Sequence, residues 1–155
     1  MRRQDREVLQ PEQIDAIIES CDCLRLGLNA EDGAYIVPLN FAYVPGKPAK
    51  FYFHSAKEGR KVDMIGQGAK AGFELDGAHR LGEAETGCRH TFFYQSVIGT
   101  GTVRPVETLE EKKRALSAIM AHYRKDCAFP FTDEQADAVA VFCLTAETMS
   151  CKQHS

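Results

Sequence analysis

No apolar run in this 155-residue chain approaches the roughly 20 residues needed to cross a bilayer. The opening Met1-Arg-Arg-Gln-Asp-Arg-Glu7 lacks the apolar centre of a secretion signal. A cytoplasmic location, with no membrane partner, is the expectation. Neither sign of charge dominates: the formal net charge is -3, and the basic residues are scattered rather than gathered into a stripe. That disfavours a nucleic-acid partner. Cysteine is sparse. Six residues (Cys21, Cys23, Cys88, Cys127, Cys143, Cys151) make a thin disulfide framework for this length, and a reducing compartment would keep them as thiols. Cys21-Asp-Cys23 lacks zinc-knuckle spacing, and Cys88 with His90 has no second ligand pair, so no metal is expected. A Gly-x-x-x-x-Gly-Lys-Ser/Thr loop is missing, as is a dinucleotide fingerprint after a strand, which argues against nucleoside triphosphate hydrolysis. There is no internal repeat or low-complexity segment.

What is present is one domain's worth of alternating and helical patterning, expected to span 1–155 with 1–10 and 150–155 loosely ordered. Ile14, Ile17, Ile18 and Cys21 recur at helical spacing behind Pro11, a residue tolerated in a first turn. Leu24, Leu26 and Leu28 then alternate with Arg25 and Gly27 as a half-buried strand does, and Asn29 to Gly33 supplies turn chemistry for a hairpin. The next strand, Ala34 to Val44, contains Pro38, which cannot donate to a ladder and so implies an edge or a bulge. Lys50 to His54 is a third strand, and Lys57 to Ile65 a short helix closed by Gly66. Ala71 to Leu75 is a fourth strand, followed by a polar loop to about His90. Phe92 to Val106 is a fifth, whose glycines suggest curvature.

Thr108-Leu-Glu-Glu111 and Thr132-Asp-Glu-Gln135 both match the capping box that opens a helix, and Val139 to Thr145 is a last buried strand. Connections this short favour antiparallel pairing. The expected fold is therefore mainly β: about six mostly antiparallel strands in a closed or partly closed barrel, with three or four peripheral helices.

The chemistry concentrates in Phe51-Tyr-Phe-His-Ser-Ala-Lys-Glu-Gly-Arg-Lys61, where an aromatic strand ends in a cationic turn. Phe51 and Phe53 share one strand face, Tyr52 and His54 the other. Ser55, Lys57, Gly59, Arg60 and Lys61 then offer a hydroxyl, three cations and a permissive backbone position beside the first amides of a helix, a combination that suits a phosphate. The plain rival is the solvated face of a short helix. Taken alone, His54 reads more readily as a strand-end histidine with a satisfied ring than as an acid, base or hydrogen-bond donor, but it stands directly before the cationic turn, where its charge would matter to an anion. Asn40, an amide two residues past Pro38, can exchange hydrogen bonds with the edge of a heteroaromatic ring. Tyr94 and Ser96 share a strand face and read either as a polar ligand wall or as barrel packing.

Val37-Pro-Leu-Asn-Phe-Ala-Tyr43, Phe51 through Met64, and Tyr94-Gln-Ser-Val-Ile-Gly-Thr-Gly-Thr102 together resemble the Nim-type nitroimidazole-resistance proteins. Those belong to the pyridoxamine 5′-phosphate oxidase-like, FMN-binding split barrels. The resemblance begins at Met1, holds to the helix at Thr108 and is weaker into the final strand, its middle segment being the specific one. It implies a homodimer with FMN in two interface sites, each lined by both chains. Ser55, Ala56, Lys57, Gly59, Arg60 and Lys61 would surround the ribityl phosphate, and Val37, Pro38, Leu39 and Asn40 would lie along the isoalloxazine ring. His54 would stand near flavin and substrate as the catalytic residue. Ser96 and Gln95 would add contacts near the phosphate, Gln95 standing where the family more often carries a basic residue.

The activity so implied is reduction of a small electron-poor acceptor, such as a nitro compound, with electrons from an external donor. A flavin carrier or redox sensor without turnover is the alternative. A haem-handling protein of the same superfamily, with His54, His79 or His90 as axial ligand, is a third reading. The full set of substrate-phosphate residues of pyridoxamine 5′-phosphate oxidase itself is not found.

Overall fold

Leucine alternation does what it predicts. In the computed structural model, which describes residues 4–155, Leu24, Leu26 and Leu28 are buried along one face of a strand, β2 (Leu24–Ala30). Before it come β1 (Glu7–Val8) and α1 (Pro11–Ser20), the latter opening on Pro11 and burying Ile17 and Ile18. The hairpin turn leads into β3 (Gly33–Leu39), and β4 (Ala42–Val44) and β5 (Lys50–Ser55) follow. After α2 (Arg60–Ile65) two long strands, β6 (Ala69–Gly82) and β7 (Thr91–Pro105), form a hairpin. The helices α3 (Leu109–Tyr123) and α4 (Asp133–Asp137) precede the last strand, β8 (Ala140–His154).

All eight strands join one antiparallel sheet in the order β3-β2-β6-β7-β8-β5-β4, with β1 added against β8. The two ends of that path, β3 and β4, are neighbours in sequence, joined only by Asn40 and Phe41. Three Cα steps reach at most about 11 Å. The sheet must therefore curl until its edges nearly meet, yet no ladder joins β3 to β4: the barrel is split at Asn40-Phe41 rather than closed.

Phe41, Phe51, Phe53 and Phe142 are fully buried within the curl, with Phe51 against Phe73 at 5.1 Å and Phe53 stacked on Phe142 at 5.4 Å. Each such side chain contributes about 1.5–3 kcal/mol by leaving water. A smaller cluster of Val106, Ala115, Leu116, Ala136 and Val141 seats α3 and α4 on the outside of the sheet. Curvature comes from β7. A methyl on Gly99 would meet the Phe73 ring at 2.3 Å and a methyl on Gly101 the Thr145 carbonyl at 2.2 Å, beside a register shift between Thr100 and Gly101. No helix among the described residues is long and apolar enough to cross a membrane.

Several expectations are corrected. Eight strands replace about six, because the run from Ala34 breaks at the split into β3 and β4, and because Glu7–Val8 pairs with Lys152 and Cys151. Among the described residues the ends are held in ladders. Val8 and Cys151 are buried, and Gln13 donates to Gln153 at 2.9 Å; the expectation for Met1 to Arg3 lies outside the described residues. The polar stretch after Leu75 stays extended to Gly82 because β7 supplies its ladder, with an irregular step between Gly77 and Arg80. The helix expected from Lys57 begins at Arg60, since Gly59 has φ 125°, outside the helical region. Thr132 forms the full capping box, whereas at Thr108 the hydroxyl accepts from the Glu111 amide at 3.3 Å.

Candidate functional site

Alternation along β5 separates packing from chemistry. Phe51 and Phe53 fill the core. Tyr52 turns outward beneath α3, donating to Glu111 Oε1 at 3.2 Å, and His54, one step further on that face, is exposed. His54 and Ser55 pair with Val141 and Ala140, so β8 fixes the strand end from which the cationic turn departs. Ser55 Oγ donates to the Ala56 carbonyl at 2.7 Å. Lys57 reaches Asp137 at 3.2 Å, and Arg60 reaches Asp32 at 2.6 Å while lying 4.8 Å over the Tyr35 ring. Both pairs are exposed and therefore weak. The Arg60 guanidinium holds the Asp32 carboxyl below its ordinary range. At Gly59, an added methyl would meet nothing within 4 Å, so the backbone there is open.

Lys61 differs from its neighbours. It is half-buried and makes no ion pair among the described residues. Burial lowers its pKa from the ordinary lysine value. Its charge also reaches His54, whose pKa falls below the ordinary histidine value chiefly through burial and secondly through Lys61. Although His54 exposes surface to solvent, the chain packed around its ring is the larger cause. A neutral imidazole beside an uncompensated ammonium is an arrangement that an anion would relieve.

The other predicted residues fall in two places. On β3 the side chains of Val37 and Leu39 turn toward the core, while Pro38 and Asn40 are exposed. Because β3 is a terminal strand of the sheet, one side of its backbone is left without a ladder, and the exposed Pro38 and Asn40 offer a ligand their side chains. Arg60 over Tyr35 links this strand to the cationic turn. Gln95 and Ser96 are elsewhere. Ser96 pairs with Asp76 and Lys152, and Lys152 is separated along β8 from Val141, the partner of His54, by about 35 Å of strand. A single chain does not bring Ser96 to His54 along that strand. Beside Ser96 lies a groove also lined by Glu7, Ile98, Ser150 and Lys152. Lys152 lies in a tail whose polar composition suggests a loose end, yet the alternation of Met149 and Cys151 carries the strand through it.

The remaining candidates have local partners. His79 faces Asp76 at 3.1 Å and the Phe92 ring at 5.8 Å, and His90 Nδ1 lies 3.0 Å from the Thr86 carbonyl. Cys88 Sγ sits 3.7 Å from Thr86 Oγ1. No cluster of three metal-ligating side chains occurs among the described residues.

Residues 10–153 match the family model described as pyridoxamine 5′-phosphate oxidase. No curated protein matches the chain significantly. Among solved structures, a candidate 5-nitroimidazole antibiotic resistance protein from Bacteroides thetaiotaomicron is 29% identical, over 95% of this chain and 86% of that one, with a TM-score of 0.80. The FAD and heme binding protein from Mycobacterium smegmatis is 16% identical over 97% and 74%, with a TM-score of 0.83. The flavocytochrome Anf3 from Azotobacter vinelandii is 16% identical over 100% and 72%, with a TM-score of 0.80. At that identity the last two bear on the fold alone. With all but its first nine and last two residues inside the family match, the chain belongs to the pyridoxamine 5′-phosphate oxidase-like split-barrel family.

Proposed function

We propose that this protein binds FMN at the cationic turn after β5 and is an oxidoreductase that passes electrons from an external donor to a small electron-poor acceptor such as a nitro compound. The observation that carries the proposal is Lys61: a half-buried ammonium without a counter-ion among the described residues, beside a histidine whose charge is suppressed. A flavin phosphate supplies the missing negative charge, and charge-assisted bonds are about twice as strong as neutral ones. Lys57 and Arg60 can add to them by exchanging exposed carboxylate partners for phosphate. The end of the terminal strand β3 and the residue after it offer Pro38 and Asn40 to the ring, and the strand's free backbone edge matches a ring that is apolar on its faces and polar on its rim.

A bound flavin supplies the electron and hydride chemistry, and the chain supplies position and electrostatics. His54, held neutral, keeps a proton on one ring nitrogen and a lone pair on the other, so it can orient an acceptor or hand it a proton near neutral pH. Ser96 and Gln95 join the site from a second copy of the chain. Their distance along the sheet from His54 supports that reading, as does the exposure of Ile98 (56%), Phe92 (52%) and Leu81 (52%) on the same hairpin. The resemblance to a 5-nitroimidazole resistance protein at 29% identity supports the choice of acceptor. The protein would work in the cytoplasm, where its cysteines stay reduced.

The absorbance spectrum of purified protein, followed by FMN and FAD titrations, tests the first step. FMN is expected to bind, and Lys61→Ala to weaken it about tenfold or more. Binding of neither flavin overturns the proposal. A Soret band on adding haemin instead would turn the reading toward haem. Anaerobic reduction followed by nitro acceptors tests the second step: His54→Ala should keep flavin and lose turnover, and unchanged turnover removes His54 from the chemistry.

A further inference from the structure

The last turn of α3 reaches across the split of the barrel. Tyr123 Oη accepts from the Phe41 amide at 3.1 Å and donates to the Asp22 carbonyl at 2.8 Å, so one hydroxyl ties the split to the segment between α1 and β2. One turn position earlier, His122 Nε2 lies 2.8 Å from the Cys21 carbonyl; a carbonyl only accepts, so this nitrogen carries the proton. The His122 ring also packs on Phe41 at 4.4 Å. Phe41 itself is fully buried. Its amide shares a planar peptide unit with the Asn40 carbonyl, and in a trans unit the two point in opposite directions. Holding the Phe41 N–H therefore fixes the Asn40 carbonyl on the opposite side of that peptide, and Asn40 itself lines a small cleft with Asp22, Cys23, Pro38 and Leu39.

We infer that Tyr123, supported by His122, is a positioning residue that sets the Asn40 peptide against the polar edge of a heteroaromatic ring and so tunes how tightly each redox form of that ring is held. This rests on the flavin reading above. It assigns the C-terminal end of α3 a role in the ring half of the site, separate from the phosphate half at Lys61.

Tyr123→Phe removes both hydrogen bonds and keeps the ring. In the protein without flavin, the Phe41 amide should exchange with solvent at least about fivefold faster, read by NMR, because the bond that protects it is gone. With FMN, the ratio of affinities for oxidised and reduced flavin should change at least about threefold, and Tyr123→Phe should be additive with Lys61→Ala, which acts on the phosphate half. A merely structural tyrosine would weaken both redox forms alike. If the wild type binds FMN and Tyr123→Phe leaves the affinity ratio unchanged, the positioning role is overturned while the functional reading stands. If the wild type binds no FMN, the functional reading falls and takes this role with it. His122→Ala, which removes the donor to the Cys21 carbonyl, should shift the affinity ratio in the same direction as Tyr123→Phe, and His122→Gln, which keeps a donor, should restore it; a wild-type ratio in His122→Ala would overturn the supporting role of His122.

Discussion

At the scale of single residues, the pairing of His54 with Lys61 makes a measurable claim. Lys61→Met removes the second cause of the low His54 pKa and leaves the first, so an NMR titration should show that pKa rising toward the ordinary histidine value without reaching it. The sign for stability follows. Below the unfolded pKa of about 6.5, the unfolded chain takes up a proton that folded His54 declines, so its stabilising contribution is full above that pH and is lost as pH falls through the folded pKa. Urea unfolding at pH 7 and pH 5 should therefore show a smaller acid loss in His54→Asn than in the wild type.

The thiols divide in the same way. Burial pushes Cys21 and Cys151 up to about 11, while Cys88 and Cys127 are exposed. A thiol reagent at pH 8 should modify Cys88 and Cys127 first and reach Cys21 and Cys151 only on unfolding. The candidate cations, His54 and Asn40 were visible in sequence because each stands next to a strand end or a proline. Tyr123 was not. It lies more than eighty residues from Phe41, a separation that no local spacing reveals.

At the scale of elements, the bend in β7 decides whether the barrel forms. A Cβ at Gly101 would strike a backbone carbonyl, which cannot swing aside as a side chain can. Gly101→Ala should cost about 2–4 kcal/mol by urea denaturation, whereas Gly87→Ala, with nothing within 4 Å of the new methyl, should stay within about 0.5 kcal/mol. Equal effects of the two would show that the bulge beside Gly101 relaxes freely. Alternation and glycine placement revealed this strand and its curvature from sequence, because both are local consequences of side-chain periodicity. The extension of β6 and β8 was hidden for the opposite reason. Residues 76–82 and 150–154 have polar composition, and they stay extended because each finds a ladder on β7, a partner that composition does not announce. The start of α2 was misplaced by three residues because a glycine with positive φ looks the same in sequence as one with helical φ.

At the scale of the whole molecule, the candidate site comes in two halves that one chain keeps apart. His54 and Lys61 lie where β5 leaves the sheet, and Ser96 with Lys152 lies toward the other end of β7 and β8. Twofold symmetry can reunite them. In an isologous dimer, the first half of one subunit meets the second half of its partner, and the same contact occurs twice. This yields a test that needs no structure of the dimer. Lys61→Ala should break the first half in both sites of a homodimer, and a Ser96→Ala/Lys152→Ala chain should break the second half in both. In a heterodimer of the two, one site receives both damaged halves and the other receives none. After random subunit exchange in an equal mixture, half the dimers are mixed, and about a quarter of all sites should recover wild-type FMN affinity. A site contained within one chain gives no such tight-binding fraction. FMN fluorescence titration of the mixture before and after exchange separates the two outcomes, since only a shared site can be restored by mixing two chains that each lack part of it.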